Sequence, residues 1–173
     1  MPTSHIDIAD QQAAQTLDLK KILVPLDFSA PSKQAFQYAL QFARQFGAEL
    51  TLIHILSRTA PSFADLATVP SFSERELDDT EKNMTELVAV ARAAQLAATR
   101  WTLRIGLPAH EIVEAAKELD VDLIVIATHG YTGWKHFCIG STAERVVRAA
   151  PCPVFVVREK EHQFNGSSHE DHD

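Results

Sequence analysis

The sequence predicts an α/β fold: a single domain on a five-stranded parallel doubly wound sheet, with helices on both faces and a strand order of 3-2-1-4-5. Three observations predict it. Short aliphatic runs, apolar on both faces as strands of a covered parallel sheet are, alternate along the chain with segments of helical period. The alternation is strict, strand then helix throughout, as right-handed crossovers between parallel strands require. A length of 173 residues, 46% hydrophobic and 23% charged, suits one globular domain with a substantial core.

The first strand is the run Ile22–Leu23–Val24, with Pro25, Leu26 and Asp27 at its exit and Ser29–Ala30–Pro31–Ser32 as punctuation. From Ser32 to about Phe46, Ala35, Phe36, Ala39, Leu40, Ala43 and Phe46 recur at helical spacing, and Gly47 supplies the stop. Leu50 to Leu56 is aliphatic on both faces around His54, a second covered strand. The stretch from Ser57 to Phe72, with Pro61 and Pro70, reads as a loop. Ser73 and Glu76 form a capping box ahead of a long helix, whose core stripe is Leu77, Met84, Leu87, Val88, Ala91 and Ala94.

Trp101 to Ile105 alternates apolar with polar residues, the mark of a half-exposed strand near a sheet edge. Pro108 opens a helix carrying Ile112, Val113, Ala115, Ala116 and Leu119. Val121 to Ala127 is the most buried strand by pattern. A glycine-bearing loop follows from Thr128 to Gly140. A second capping box, Ser141 with Glu144, is expected to start the helix Thr142–Ala149. Pro151 and Pro153 lead into Val154–Val157, the last strand. Residues 1–19 read as a loosely packed leader, 20–158 as the domain, and 159–173 as a disordered acidic, histidine-containing tail.

Composition narrows the partners. A net charge of −7 and the lack of a basic stripe argue against nucleic acid. No run approaches a membrane span, and the leader lacks the charged and apolar regions of a secretory signal. Two cysteines, Cys138 and Cys152, carry no zinc or disulfide spacing. A cytoplasmic protein without membrane attachment is the expectation.

In a doubly wound sheet, ligands sit beyond the carboxyl ends of the strands, where the strand order reverses. That rule points to Pro25–Ser29, Ile55–Ser57 and Ala127–Ser141. The loop between Thr128 and Gly140 holds Gly130 and Gly133 and leads to a helix N-terminus with hydroxyls at Ser141 and Thr142. Glycines permit close backbone approach, and free helix amides favour an anion, so a phosphate cradle fits. A loop whose glycines only make turns, and a Ser141 that only caps, fit the same letters. A P-loop, a GxGxxG after the first strand and a GxSxG elbow are absent.

Residues 127–141, ATHGYTGWKHFCIGS, followed by TAERVVRAAPCPVFVV, resemble the C-terminal signature of the universal stress protein family. The opening KKILVPLDFSAPSKQAFQYALQFA and the run LTLIHIL resemble its first strand and helix and its second strand. The likeness covers Lys20 to Arg158. Nucleotide-binding members read Gly-x2-Gly-x9-Gly-Ser/Thr; here the spacing is carried by Ala127, Gly130, Gly140 and Ser141. The departure, Ala127 for glycine, bears on binding strength rather than on fold.

The resemblance implies an ATP-binding regulatory protein of the stress response, with AMP or ADP as related ligands and Mg2+ held mainly by the phosphates. It implies Asp27 at the ribose or phosphates, Pro25 and Leu26 shaping the strand exit, and Ile55 at the adenine edge. Ile126 and Ala127 would line base and sugar, while Gly130, Gly140, Ser141 and Thr142 would hold the phosphates, and His129 belongs to the same nucleotide site. No catalytic or metal-binding residue is assigned, and slow hydrolysis is the most expected of it. A homodimer through Val154–Val157 is implied as well, and it would cover an apolar edge strand. A dimeric scaffold that binds no nucleotide is the alternative. An adenylyl-transfer enzyme would carry SGGxDS after the first strand, where this chain has LDFSAPS.

Two other readings concern single residues. Asp27 competes with Ser29 and Ser32 to cap the following helix or turn. His54, inside an aliphatic strand, reads as a satisfied core residue; His129, His136 and the tail histidines receive no catalytic or metal role.

Overall fold

Lys21–Pro25 (β1) is the middle strand of a five-stranded sheet in a computed structural model that describes residues 17–57, 72–128 and 140–158. Ala30–Phe46 (α1) leads to Glu49–Ser57 (β2), and Glu74–Ala93 (α2) to Thr99–Gly106 (β3). Pro108–Leu119 (α3) precedes Leu123–Ala127 (β4), and Ser141–Ala149 (α4) precedes Val154–Val157 (β5). All pairings are parallel, in the order β3-β2-β1-β4-β5. This is the predicted topology. The chain winds outward from β1 to β3, then returns to the other side of β1 with β4, so the order reverses between β1 and β4.

The sheet divides the core in two. Ile22, Val24, Leu50, Leu52 and Val125 face α1 and α2 and pack with Phe36, Ala39, Met84 and Val88. Leu23, Ile53, Ile124 and Ile126 face the opposite way, onto Ile112, Ala116, Ala143 and Val146 of α3 and α4. Both faces of β1 are therefore covered, which is why its sequence is aliphatic without alternation.

Local chemistry sets the element ends. Ser29 caps α1 by accepting the Ser32 amide at 3.3 Å, and Gly47 ends it in the left-handed conformation at φ 68. The predicted capping box at α2 is present, with Glu76 accepting from the Ser73 amide at 2.9 Å and Ser73 Oγ accepting from the Glu76 amide at 3.2 Å. At the foot of the sheet, Asp122 Oδ2 accepts from the amides of Lys20 and Lys21, each at 2.9 Å. That side-chain bridge fastens the β4 approach to β1, and the strand proper starts at Leu123, later than the Val121 predicted.

Two sequence expectations are corrected. Leu77 is exposed, and Thr80 takes its place on the buried face of α2 with Met84, Val88 and Ala91. Apolar identity suggested the stripe, but the first turn of α2 lies outside the core. Ser141 does not cap α4. Gly140 holds the cap position, no side-chain cap bond forms, and Glu144 instead pairs with Arg148 at 2.7 Å. The Ser-x-x-Glu pattern sits one residue too late for a box.

The loop expected over 57–72 lies outside the described residues except at Ser57, which ends β2, and Phe72. Among the described residues no helix is long and apolar enough to cross a membrane.

Candidate functional site: a cavity at the carboxyl edge of the sheet

A cavity of about 310 Å3 opens where the strand order reverses. Pro25, Leu26 and Asp27 reach it from the end of β1, Ile55 from β2, and Ile126 and Ala127 from β4. Gly140, Ser141 and Thr142 bring in the start of α4. These are all the sequence-assigned site residues that the structure describes; His129 and Gly130 lie outside the described residues. Segments far apart in sequence thus meet in one hollow.

Its walls differ in chemistry. Leu26, Ile55, Ile112 and Ile126 make an apolar lining, fit for a flat ring. Opposite, the first backbone bond of α4 runs from the Glu144 amide to the Gly140 carbonyl at 3.0 Å. The amides of Ser141, Thr142 and Ala143 precede that bond and have no acceptor within the helix. The hydroxyls of Ser141 and Thr142 stand beside them. Because Ser141 is not spent as a cap, its hydroxyl is available to the cavity. Among the described lining residues Asp27 is the only ionisable one. An anion held here would rest on amides and hydroxyls, with the helix dipole in its favour.

The Asp27 carboxylate is placed by its own turn. Its Oδ1 accepts from the Ser29 amide at 3.1 Å and from the Ser29 hydroxyl at 2.5 Å. Ser29 is the helix cap, so Asp27 steers the cap rather than replacing it, and it lines the cavity at the same time. His54 is satisfied as expected, though half-buried: its Nδ1 lies 2.7 Å from the Leu26 carbonyl. A carbonyl only accepts, so Nδ1 carries the proton.

Four lining residues were missed: Ser32, Pro108, Ile112 and Ala143. Ser57 and Thr128 also line the cavity, within strand exits already singled out. Pro108 and Ile112 come from the start of α3, and Ser32 from the first turn of α1. Helices that follow strands begin at this same edge, and that rule would have found them. Cys152 is half-buried elsewhere, and burial first, then the nearby Asp122 charge, pushes its thiol up in pKa. Cys138 and His136 lie outside the described residues.

A model of the universal stress protein family matches residues 18–158. The chain belongs to the universal stress protein family. A universal stress protein of Methanocaldococcus jannaschii is 35% identical over 145 residues, which are 80% of this chain and 82% of the relative. Among solved structures, the universal stress protein UspA of Lactobacillus plantarum superposes with a TM-score of 0.72 at 26% identity, covering 83% of this chain and all of that one (100%). Two further members share the fold at lower identity. One, solved in complex with cAMP, has a TM-score of 0.63 at 21% identity, over 82% of this chain and 98% of that one. The other, from Archaeoglobus fulgidus and in complex with dAMP, has 0.60 at 20%, over 82% and 99%. This universal stress protein therefore has the family's sheet order and a cavity at its switch point.

Proposed function

We propose that this universal stress protein binds an adenine nucleotide, ATP first, in the cavity between β1 and β4, and acts as a nucleotide-dependent dimeric regulator in the stress response. One observation carries the reading: every described residue assigned from sequence to the nucleotide lines the same cavity. The chemistry of the walls fits the ligand's parts. Adenine suits the apolar side around Ile55 and Ile126. The phosphates suit the amides and hydroxyls at Ser141 and Thr142. The Asp27 carboxylate would repel phosphate and accept from ribose hydroxyls, so it belongs at the sugar. Gly130 is assigned to the phosphates by its place in the motif, and His129 to the same nucleotide site. Magnesium would enter with a triphosphate, held mainly by its oxygens. The two structural neighbours with cAMP and dAMP bound lend the fold's support to an adenylate ligand.

No catalytic residue is assigned, and the nucleotide serves as a signal rather than a fuel. The dimer forms through β5 (Val154–Val157). The second reading, a dimeric scaffold with no nucleotide, is favoured by one feature: Ala127, a lining residue, stands where the binding motif has glycine.

Mass spectrometry of the small molecules released on denaturing the purified protein tests the reading. An adenine nucleotide in near-equal amount to the chain is expected. A protein that releases none, and takes up none when ATP and magnesium are added, is the scaffold.

A further inference from the structure

We infer that His54 is a positioning residue for the nucleotide site: from the opposite face of the sheet, it holds the β1–α1 turn that presents Asp27. The inference rests on the nucleotide reading above. Ile53 packs with the α3 and α4 side and Leu52 with the α1 and α2 side, so strand alternation puts His54 with Leu52, away from the cavity. Yet its ring makes two contacts with the turn. Nδ1 donates to the Leu26 carbonyl at 2.7 Å. The imidazole stacks on Phe28 with centroids 4.5 Å apart and planes 28° from parallel.

Phe28 is where the turn needs holding. Its φ of 63 lies in the left-handed region, which a bulky aromatic residue rarely occupies unless its surroundings impose it. The ring stack and the packing of Phe28 against the α1 and α2 core supply that imposition. Asp27 sits between the two tethered residues, Leu26 and Phe28. With both neighbours fixed from behind, its carboxylate meets the amide and hydroxyl of Ser29 at the cavity. His54 does not line the cavity itself; it reaches the site through the Leu26 carbonyl and the turn that presents Asp27.

The test compares His54→Leu, which keeps the strand apolar but removes donor and ring, with His54→Asn, whose amide can still reach the Leu26 carbonyl. Two readouts serve: hydrogen exchange at the Ser29 amide without ligand, and affinities for ATP and its dideoxyribose analogue with magnesium. In His54→Leu, Ser29 should exchange about tenfold faster and ATP should bind about tenfold more weakly, the scale of one lost hydrogen bond. Exchange at Val24 should stay unchanged. Preference for ATP over the dideoxy analogue should shrink. Adding Asp27→Asn should cost no more than Asp27→Asn alone, and His54→Asn should recover most of the affinity. The inference is overturned if ATP affinity in His54→Leu stays within about twofold of wild type, or if its loss adds fully to that of Asp27→Asn. If wild type takes no ATP, the nucleotide reading is what fails, and Ser29 exchange alone then decides whether His54 holds the turn.

Discussion

The amide of Gly140 donates to the carbonyl of Thr128 at 2.7 Å, tying the residue before α4 to the residue after β4. Thr128 in turn donates its amide to Val157 at 2.9 Å, carrying the ladder between β4 and β5 one step beyond the strand. Both Thr128 and Gly140 line the cavity. The edge of the sheet and the start of α4 are thus held together at the point where the site is formed.

Replacing Gly140 with proline isolates that bond. Gly140 has φ −57 and ψ 148, values a proline adopts without strain, but proline has no amide to donate. Gly140→Pro should lose about 1 kcal/mol of unfolding free energy and weaken ATP binding about tenfold. Denaturant titration and calorimetry check the two effects.

Ala127 tests the departure from the motif. Ala127 lines the cavity at the end of β4, half-buried, and packs with the α1 and α2 core. Ala127→Gly should tighten nucleotide binding by restoring the motif's glycine and its backbone freedom at the strand exit. Its cost is a strand weakened by about 0.5–1 kcal/mol. An affinity that stays the same or falls would show that the methyl group is not what limits binding.

The fold could be read because its signals are local. Aliphatic runs marked the strands, apolar spacing marked the helices, and Gly47 does end α1 in the left-handed conformation. The site was legible for a different reason: the switch-point rule and the glycine motif converge on the same strand ends. What was missed depends on tertiary packing. Pro108 and Ile112 enter the cavity because α3 lies over β2, which no local pattern states. Leu77 has the right period, but at the first turn of α2 it is exposed. Ser141 and Glu144 have capping-box letters, yet the backbone places the cap at Gly140.

The proposed dimer through β5 has a test in backbone pairing. The carbonyls of Pro153 and Val157 accept from Ile124 and Thr128 on β4, so the residues between alternate and Val154 and Val156 direct their backbone groups to the open edge. Val156→Pro removes an outward donor without touching the β4 ladder. Light scattering should find a monomer that still binds ATP. A dimer of unchanged affinity would place the interface elsewhere.

The α2 cap carries a pH dependence. The Glu76 carboxyl is held below its ordinary value of 4.5, first by the Ser73 amide and then by its hydroxyl. A carboxyl whose folded pKa is depressed stabilises fully above its unfolded value and loses that contribution as pH falls through the folded one. The stability difference between wild type and Glu76→Gln should therefore be constant above about pH 5 and close in stronger acid. Urea midpoints across that range check it.

The central claim is tested most directly by titrating ligand-free wild type with ATP and magnesium while following thermal unfolding. At ~100 times the dissociation constant, roughly 2.7 kcal/mol of added stability is predicted, with one nucleotide bound per chain and no response to an equal concentration of inorganic phosphate. A melting temperature indifferent to millimolar ATP would contradict the account.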